Sequence, residues 1–174
     1  NNDMLQLWKV CTYFQPKSFL EIGFLAGQTF GIFLDSVTDP NTRYVAVDLT
    51  FQFHKYIIDT IFSNHPKIKN IQCIEVDSRN LDLTEKFDFI HIDGDHTYPF
   101  VLNDFIKCLP LMHDKTILAM DDTLDSGVDQ VIQEHLLGQH GFVPFLAGNK
   151  QIFFCHQSNI PVDFVRNQLR EGIE

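Results

Sequence analysis

The sequence predicts a doubly wound α/β domain: a mostly parallel, seven-stranded sheet with helices on both faces, closed by a C-terminal antiparallel hairpin. Three observations carry the prediction. Short β-rich runs alternate with helix-period apolar stripes, the pattern that packs helices on both faces of a parallel sheet. Each of the first five strands runs straight into a glycine or an acid, at the edge where open α/β sheets gather their ligand-binding groups. The last two strands are joined only by the turn around Gly148-Asn149, too short for a parallel crossover, so they must pair antiparallel.

The elements follow in order. Met4, Leu5, Leu7, Trp8, Cys11 and Phe14 recur at helical spacing, and Pro16 ends that helix. Ser18 to Ile22 is a buried strand running into Gly23; Gly27 follows, and Phe30, Phe33, Leu34 and Val37 set the next helical stripe. Arg43 to Val47 is the second strand and ends at Asp48, and Phe53, Ile57, Ile58, Ile61 and Phe62 mark a helix that closes near Pro66. Asn70 to Val76 makes a third strand ending at Asp77, and Phe87 to Ile92 a fourth ending at Asp93. Val101, Leu102, Phe105 and Leu109 stripe a helix, and Thr116 to Met120 is the fifth strand, ending in Asp121 and Asp122. A helix from Val128 to Leu137 precedes the hairpin of Phe142 to Leu146 and Gln151 to Cys155, and Val162, Val165 and Leu169 mark a closing helix. No repeat, low-complexity segment or linker interrupts this pattern, so one domain spanning residues 1–174 is expected.

Composition narrows the function classes. Thirteen Lys plus Arg against 23 Asp plus Glu give a net charge of −10, which opposes nonspecific binding to nucleic acid or to an anionic membrane. The four cysteines are far apart and sit in apolar runs without a Cys-x-x-Cys pair, as reduced cysteines do, which argues against a zinc knuckle. No apolar run approaches the roughly 20 residues needed to span a bilayer, and the N-terminal segment is not a signal peptide, so a cytoplasmic compartment is expected.

The strand ends carry the chemistry. In Glu21-Ile-Gly-Phe-Leu-Ala-Gly-Gln-Thr29 an acid closes the first strand and two glycines form the turn, where missing side chains let backbone approach a ligand; the same turn would serve as a plain tight connection. The spacing is not the Gly-x-Gly-x-x-Gly of dinucleotide folds. Asp48 lies 25 residues after Gly23, where a carboxylate can accept both hydroxyls of a ribose or cap a helix. Asp77 with Ser78 could edge an adenine pocket or cap the next turn. Asp93 and the pair Asp121-Asp122 end neighbouring strands, and three converging carboxylates repel one another unless a cation sits among them. Oxygen-only ligation suits a hard ion, Mg²⁺ first, with Mn²⁺ or Ca²⁺ as alternatives; a solvated acidic loop is the other reading. His96, three residues after Asp93, has the proton affinity of a base at neutral pH, and it could equally be a surface residue or a supporting partner. His91, inside the strand, reads as structural.

Taken together, Glu21-x-Gly23-x3-Gly27-x-Thr29, Asp48, Asp77 and Ile92-Asp-Gly-Asp-His-Thr-Tyr98, with Asp104 beyond, resemble the class I S-adenosylmethionine-dependent methyltransferases. More narrowly, they are similar to the small-domain group that includes macrolide-sugar O-methyltransferases and, more distantly, catechol-type O-methyltransferases. The resemblance covers nearly the whole chain and implies a Rossmann-like fold. It implies that Glu21, Gly23, Gly27 and Thr29 hold the methionine portion of S-adenosylmethionine, Asp48 the ribose, and Asp77 with Ser78 the adenine. It also implies a divalent cation on Asp93, Asp121 and Asp122. Catechol-type enzymes have a lysine base three residues after the first metal ligand, and His96 stands at that position here. His113-Asp114-Lys115 replaces the family's usual Gly-Gly turn, which should alter only a loop far from the site.

The expected activity is therefore metal-dependent O-methylation of a hydroxyl or vicinal diol on a small molecule or carbohydrate, with His96 or Asp93 taking the proton. Two alternatives stay open: metal-independent methylation of an amine, and a noncatalytic cofactor-binding module. The family's capping insertions are missing, which leaves Met4 to Phe14, Asp122 to Gly127 and a homodimer partner as candidate covers for the acceptor.

Overall fold

The computed structural model describes residues 2–25, 27–51, 56, 59–60 and 63–171. It contains a seven-stranded sheet in the order β3-β2-β1-β4-β5-β7-β6. The strands are β1 (Ser18–Ile22), β2 (Arg43–Asp48), β3 (Ile71–Glu75), β4 (Phe89–Ile92), β5 (Ile117–Met120), β6 (Phe142–Ala147) and β7 (Ile152–His156). Pairing is parallel from β3 through β5, whereas β7 runs antiparallel to both β5 and β6. The helices are α1 (Asn2–Phe14), α2 (Gln28–Ser36), α3 (Tyr98–Cys108), α4 (Ser126–Val131) and α5 (Val162–Glu171). The stripe predicted from Phe53 to Phe62 lies largely outside the described residues.

Strand alternation sorts the core into two layers. Leu20, Ile22, Val45, Val47, Ile90 and Leu118 point to one face, which α3 and α4 cover with Val101, Phe105, Val128 and Val131. Phe19, Tyr44, Phe89 and Phe153 point to the other, where Leu7 and Val10 of α1, Phe30 and Phe33 of α2, and Phe164 of α5 close over them. On that second face Phe19 stacks between Tyr44 and Phe89, with centroids 5.0 and 4.6 Å away, so aromatic contacts tie β2, β1 and β4 together.

Two local findings revise the predicted elements, and a third agrees with its expectation. The helix after Asp125 is α-helical only to Val131 and finishes as a π turn over Ile132–Leu136, where Leu137 N donates to Ile132 O. In α5 the buried anchor is Phe164, while Val162 and Leu169 are exposed, because the helix rests on the sheet by its first turn. The His113 loop is pinned by His113 Nε2 against Asp88 Oδ1 at 3.0 Å, at the edge opposite the strand ends that carry the acids.

The ladder continues one bond past each parallel pair. Gly23 N donates to Val47 O, Val76 N to Asp48 O, Asp93 N to Ile22 O and Asp121 N to Ile92 O. This fixed register draws up the acids predicted at the strand ends along one edge.

Candidate active site

One cavity of about 770 Å³ opens at this edge. Gly23, Asp48, Asp77, Ser78, Asp93, His96, Asp121 and Asp122 all line it, so eight of the eleven residues singled out from the sequence converge. Asp3, Met4, Leu25, Gln28, Arg79, Phe100, Asp104 and Lys150 also contribute to the wall.

The β1 turn makes the closest backbone approach. Gly23 has φ +87°, and a Cβ there would sit 2.1 Å from Asp93 O and 2.9 Å from Gly94 Cα. Only glycine permits both that dihedral and that proximity. Asp48 secures the turn from the side, its Oδ2 accepting from Phe24 N at 2.8 Å and Leu25 N at 3.2 Å. Asp48 is thus part of the cavity wall and the anchor of the glycine turn at once.

Glu21, Gly27 and Thr29 stand outside the cavity wall. Glu21 is 1% exposed, and alternation turns it to the sheet face opposite Ile22, where it accepts the Tyr44 hydroxyl. This corrects the expectation that Glu21 meets a ligand directly. Gly27 opens α2 at φ +67° with the Phe24 ring 2.8 Å from where a Cβ would sit, and Thr29 is buried in the first turn, so both shape the wall from behind.

At the β3 end, Arg79 grips Asp77 through both carboxylate oxygens and lies 4.8 Å above the Phe100 ring. Hydrogen bonds from the Arg79 side chain and backbone hold Asp77 down at about 2, so it remains an anion throughout the neutral range. Asp104, buried in α3, forms the floor beneath Gly94, where a Cβ would lie 2.9 Å from Asp104 Oδ2. Burial raises its pKa.

The acidic end is built from β4, β5 and the β6–β7 turn. Asp122 takes a left-handed backbone (φ +48°), strain of the kind that concentrates at functional sites. Its Oδ1 is 3.1 Å from Lys150 Nζ and its Oδ2 3.1 Å from His96 Nε2. His96 Nδ1 faces Asp125 Oδ2 at 3.0 Å, and its Nε2 lies 3.9 Å from Asp93 Oδ1. Burial, reinforced by Asp121, Glu21 and Asp122 against the pull of His91, lifts Asp93 to about 7.

Two groups could each bring three donors to one ion: Asp93 with His96 and Asp122, and His91 with Asp93 and Asp121. The three acids predicted as a single oxygen-only set are therefore divided, with Asp93 common to both groups. Each group adds an imidazole, a mixed donor set that also accepts transition metals.

His91, read from sequence as structural, belongs to this architecture. It is completely buried, with Nδ1 3.4 Å from Glu21 Oε1 and Nε2 3.7 Å from Asp121 Oδ2. Burial works against its charge, but Asp121 and Glu21 outweigh that and raise its pKa to about 10. Yet the Gln151 amide nitrogen is 2.8 Å from Nε2 and can only donate to a bare nitrogen. The arrangement seen thus keeps the ring proton on Nδ1, and a second proton requires the amide to turn its unpartnered oxygen inward. The alternation of His91 with Phe89 on an inward face was the available signal. Arg79 was also legible, two residues after a strand-end acid. Lys150 and Gln151 arrive from the hairpin and had none. Tyr98 points away from the cavity, its hydroxyl meeting Glu134 and His135 at 3.0 and 2.9 Å.

A parallel sheet with a terminal antiparallel pair and a cavity across β1 to β5 defines the class I methyltransferase architecture. The chain belongs to a methyltransferase-domain family, whose pattern matches residues 20–123. No curated protein matches it. Solved structures show the same fold at low identity. CalS11, a TDP-rhamnose 3′-O-methyltransferase of calicheamicin biosynthesis, superposes with a TM-score of 0.67 at 16% identity, covering 88% of this chain and 78% of that one. The O-methyltransferase from Bacillus cereus in complex with S-adenosylhomocysteine gives 0.65 at 18%, covering 87% and 78%. The S-adenosylhomocysteine-bound Podospora anserina methyltransferase PaMTH1 gives 0.70 at 13%, covering 88% and 77%. Among the described residues no helix is long and apolar enough to cross a membrane.

Proposed function

We propose that this methyltransferase transfers the methyl group of S-adenosylmethionine to a hydroxyl or vicinal diol of a small molecule or sugar, with a divalent cation, Mg²⁺ first, at the acidic end of the cavity. The observation that carries this is the polarity of one continuous cavity, with a glycine turn and ribose-type acid at one end and Asp93, His96, Asp121 and Asp122 at the other. The printed activities of CalS11 and the B. cereus enzyme, both O-methyltransferases, support the choice of oxygen as acceptor.

In this reading Gly23 admits the methionine portion, Asp48 accepts from the ribose, and Asp77 with Ser78 borders the adenine, with Phe100 and Arg79 as its wall. S-adenosylmethionine supplies a methyl group already activated on sulfonium, so the protein's share is alignment of the acceptor oxygen behind it. A divalent ion held at this end by the carboxylates of Asp93, Asp121 and Asp122 would lower the pKa of an acceptor hydroxyl. The acceptor O–H bond breaks, an O–C bond forms and the C–S bond breaks. The proton passes to His96 Nε2 or to Asp93. Carboxylates only accept hydrogen bonds, so His96 becomes a base once Asp122 is engaged elsewhere. Asp93, held near neutrality by burial and its acidic neighbours, is matched to the same task. A second copy of the chain completing the cover over the acceptor is part of the proposal, and light scattering tests it.

The Lys150 contact to Asp122 supports one rival, a metal-independent enzyme in which a protein cation already neutralises the cluster. Titration calorimetry with S-adenosylhomocysteine, with and without Mg²⁺, separates the two. Binding strengthened by Mg²⁺, with turnover of a diol or sugar panel lost in chelator and in Asp93→Ala, is expected. Turnover indifferent to both treatments would remove the metal and favour amine acceptors.

A further inference from the structure

A row of buried polar side chains crosses the aromatic face of the sheet. Tyr44 on β2 donates to Glu21 on β1, Glu21 faces His91 Nδ1 on β4 at 3.4 Å, and His91 Nε2 meets the Gln151 amide nitrogen at 2.8 Å. Their exposures are 0, 1, 0 and 2%, so the row has no contact of its own with solvent. Ala46 and Ala119, in register with Glu21 and His91, leave it room within the sheet.

The row opens to the cavity through one residue. Gln151 Nε2 reaches Asp121 Oδ2 at 3.3 Å, while Asp121 Oδ1 accepts from Asp122 N at 2.8 Å. The two amide hydrogens of Gln151 thus serve His91 and Asp121 together, and both Asp121 oxygens are held. Folding does not call for such a row, since apolar residues of similar volume there would avoid the desolvation of four polar groups. Its cost makes sense as orientation of the group at its open end.

We propose that Tyr44, Glu21, His91 and Gln151 form a positioning relay that fixes the Asp121 carboxylate at the acidic end of the cavity. Gln151 makes the final contact, and with its amide nitrogen on His91 Nε2 the imidazole acts through Asp121 and not as a ligand of the ion. The proposal rests on the reading that Asp121 serves a cation at that end, and the experiment keeps the two apart.

Mn²⁺ and S-adenosylhomocysteine are titrated calorimetrically into wild type, Gln151→Leu, His91→Leu, Tyr44→Phe and Asp121→Ala, with melting curves and a crystal structure of Gln151→Leu. Loss of such supporting hydrogen bonds weakens metal binding about 10–100-fold in other sites, and that is the expected result for Gln151→Leu and His91→Leu, with S-adenosylhomocysteine affinity unchanged. Tyr44→Phe deletes a single hydroxyl, preserves the packing and should shift Mn²⁺ affinity in the same direction. It decides the matter if the larger substitutions unfold the protein. The Asp121 side chain should leave its wild-type rotamer in the Gln151→Leu crystal. Wild-type Mn²⁺ affinity in every folded relay variant, with Mn²⁺ binding abolished in Asp121→Ala, overturns the relay and spares the acidic centre. Undiminished Mn²⁺ binding by Asp121→Ala overturns both. If wild type itself takes no Mn²⁺, the metal reading fails and the Asp121 rotamer alone decides the relay.

Discussion

Asp93 stands among Glu21, Asp121 and Asp122, and its proton is bound more tightly in the folded chain than in the unfolded one, where its pKa is 3.8 rather than about 7. Between those values the folded state holds more protons, so this residue makes stability fall as pH rises through the window. Below it both states are protonated and the residue contributes nothing. Asp93→Asn should therefore flatten the fall in denaturant-derived stability between about pH 4 and 7, measured in chelator, and leave the variant more stable than wild type at pH 8. At the same time turnover should drop, because Asn can neither hold a cation as an anion nor take a proton. An unchanged pH slope would mean that Asp93 carries no such repulsion.

Between elements, two glycines set how closely the turns approach. A Cβ on Gly23 would collide with Asp93 O at 2.1 Å, and one on Gly127, in the first turn of α4, would lie 2.3 Å from His96 O and 2.5 Å from Tyr98 N. Both contacts are backbone, so relief requires moving whole segments. Gly127→Ala should separate α4 from the loop that carries His96, cost about 2 kcal/mol or more, and lower kcat by loosening His96 from Asp122 and Asp125. Gly23→Ala should damage S-adenosylhomocysteine binding above all, since it forces the β1 turn away from β4. Calorimetry and thermal melts on the two variants separate these outcomes, and equal loss of ligand affinity in both would contradict the division of labour. Helix α3 shows what burial alone cannot tell from sequence. Its stripe is plain, but whether Tyr98 turned to the cavity or to α4 depended on Glu134 and His135, residues some 36 positions away.

Across the molecule, the chain's first helix and its last hairpin meet over the cavity. Asp3 is buried and accepts from Lys150 N at 3.0 Å, and a Cβ on Gly148 would lie 2.2 Å from Asp3 Oδ1. Lys150 also accepts from Thr123 N at 2.7 Å and reaches Asp122 with its ammonium group. Asp3→Ala should cost about 1–3 kcal/mol by removing the carboxylate that accepts from Lys150 N, and should weaken S-adenosylhomocysteine because Asp3 and Met4 are part of the cavity wall. Full affinity in a destabilised variant would show that α1 braces the fold without shaping the site. The succession of strands and helices, the terminal hairpin and the acids at the strand ends were determined by the sequence alone, because periodicity and turn length are local properties and parallel register then aligns the strand ends. Which acids face the cavity was decided by tertiary structure: alternation buried Glu21, while pairing of β1 with β4 made His91 its neighbour. The division of Asp93, Asp121 and Asp122 between two donor groups, and the arrival of Lys150 and Gln151 beside them, also needed the folded chain. Those contacts join residues 28 to 147 positions apart, and no local pattern records a distance closed only by the sheet.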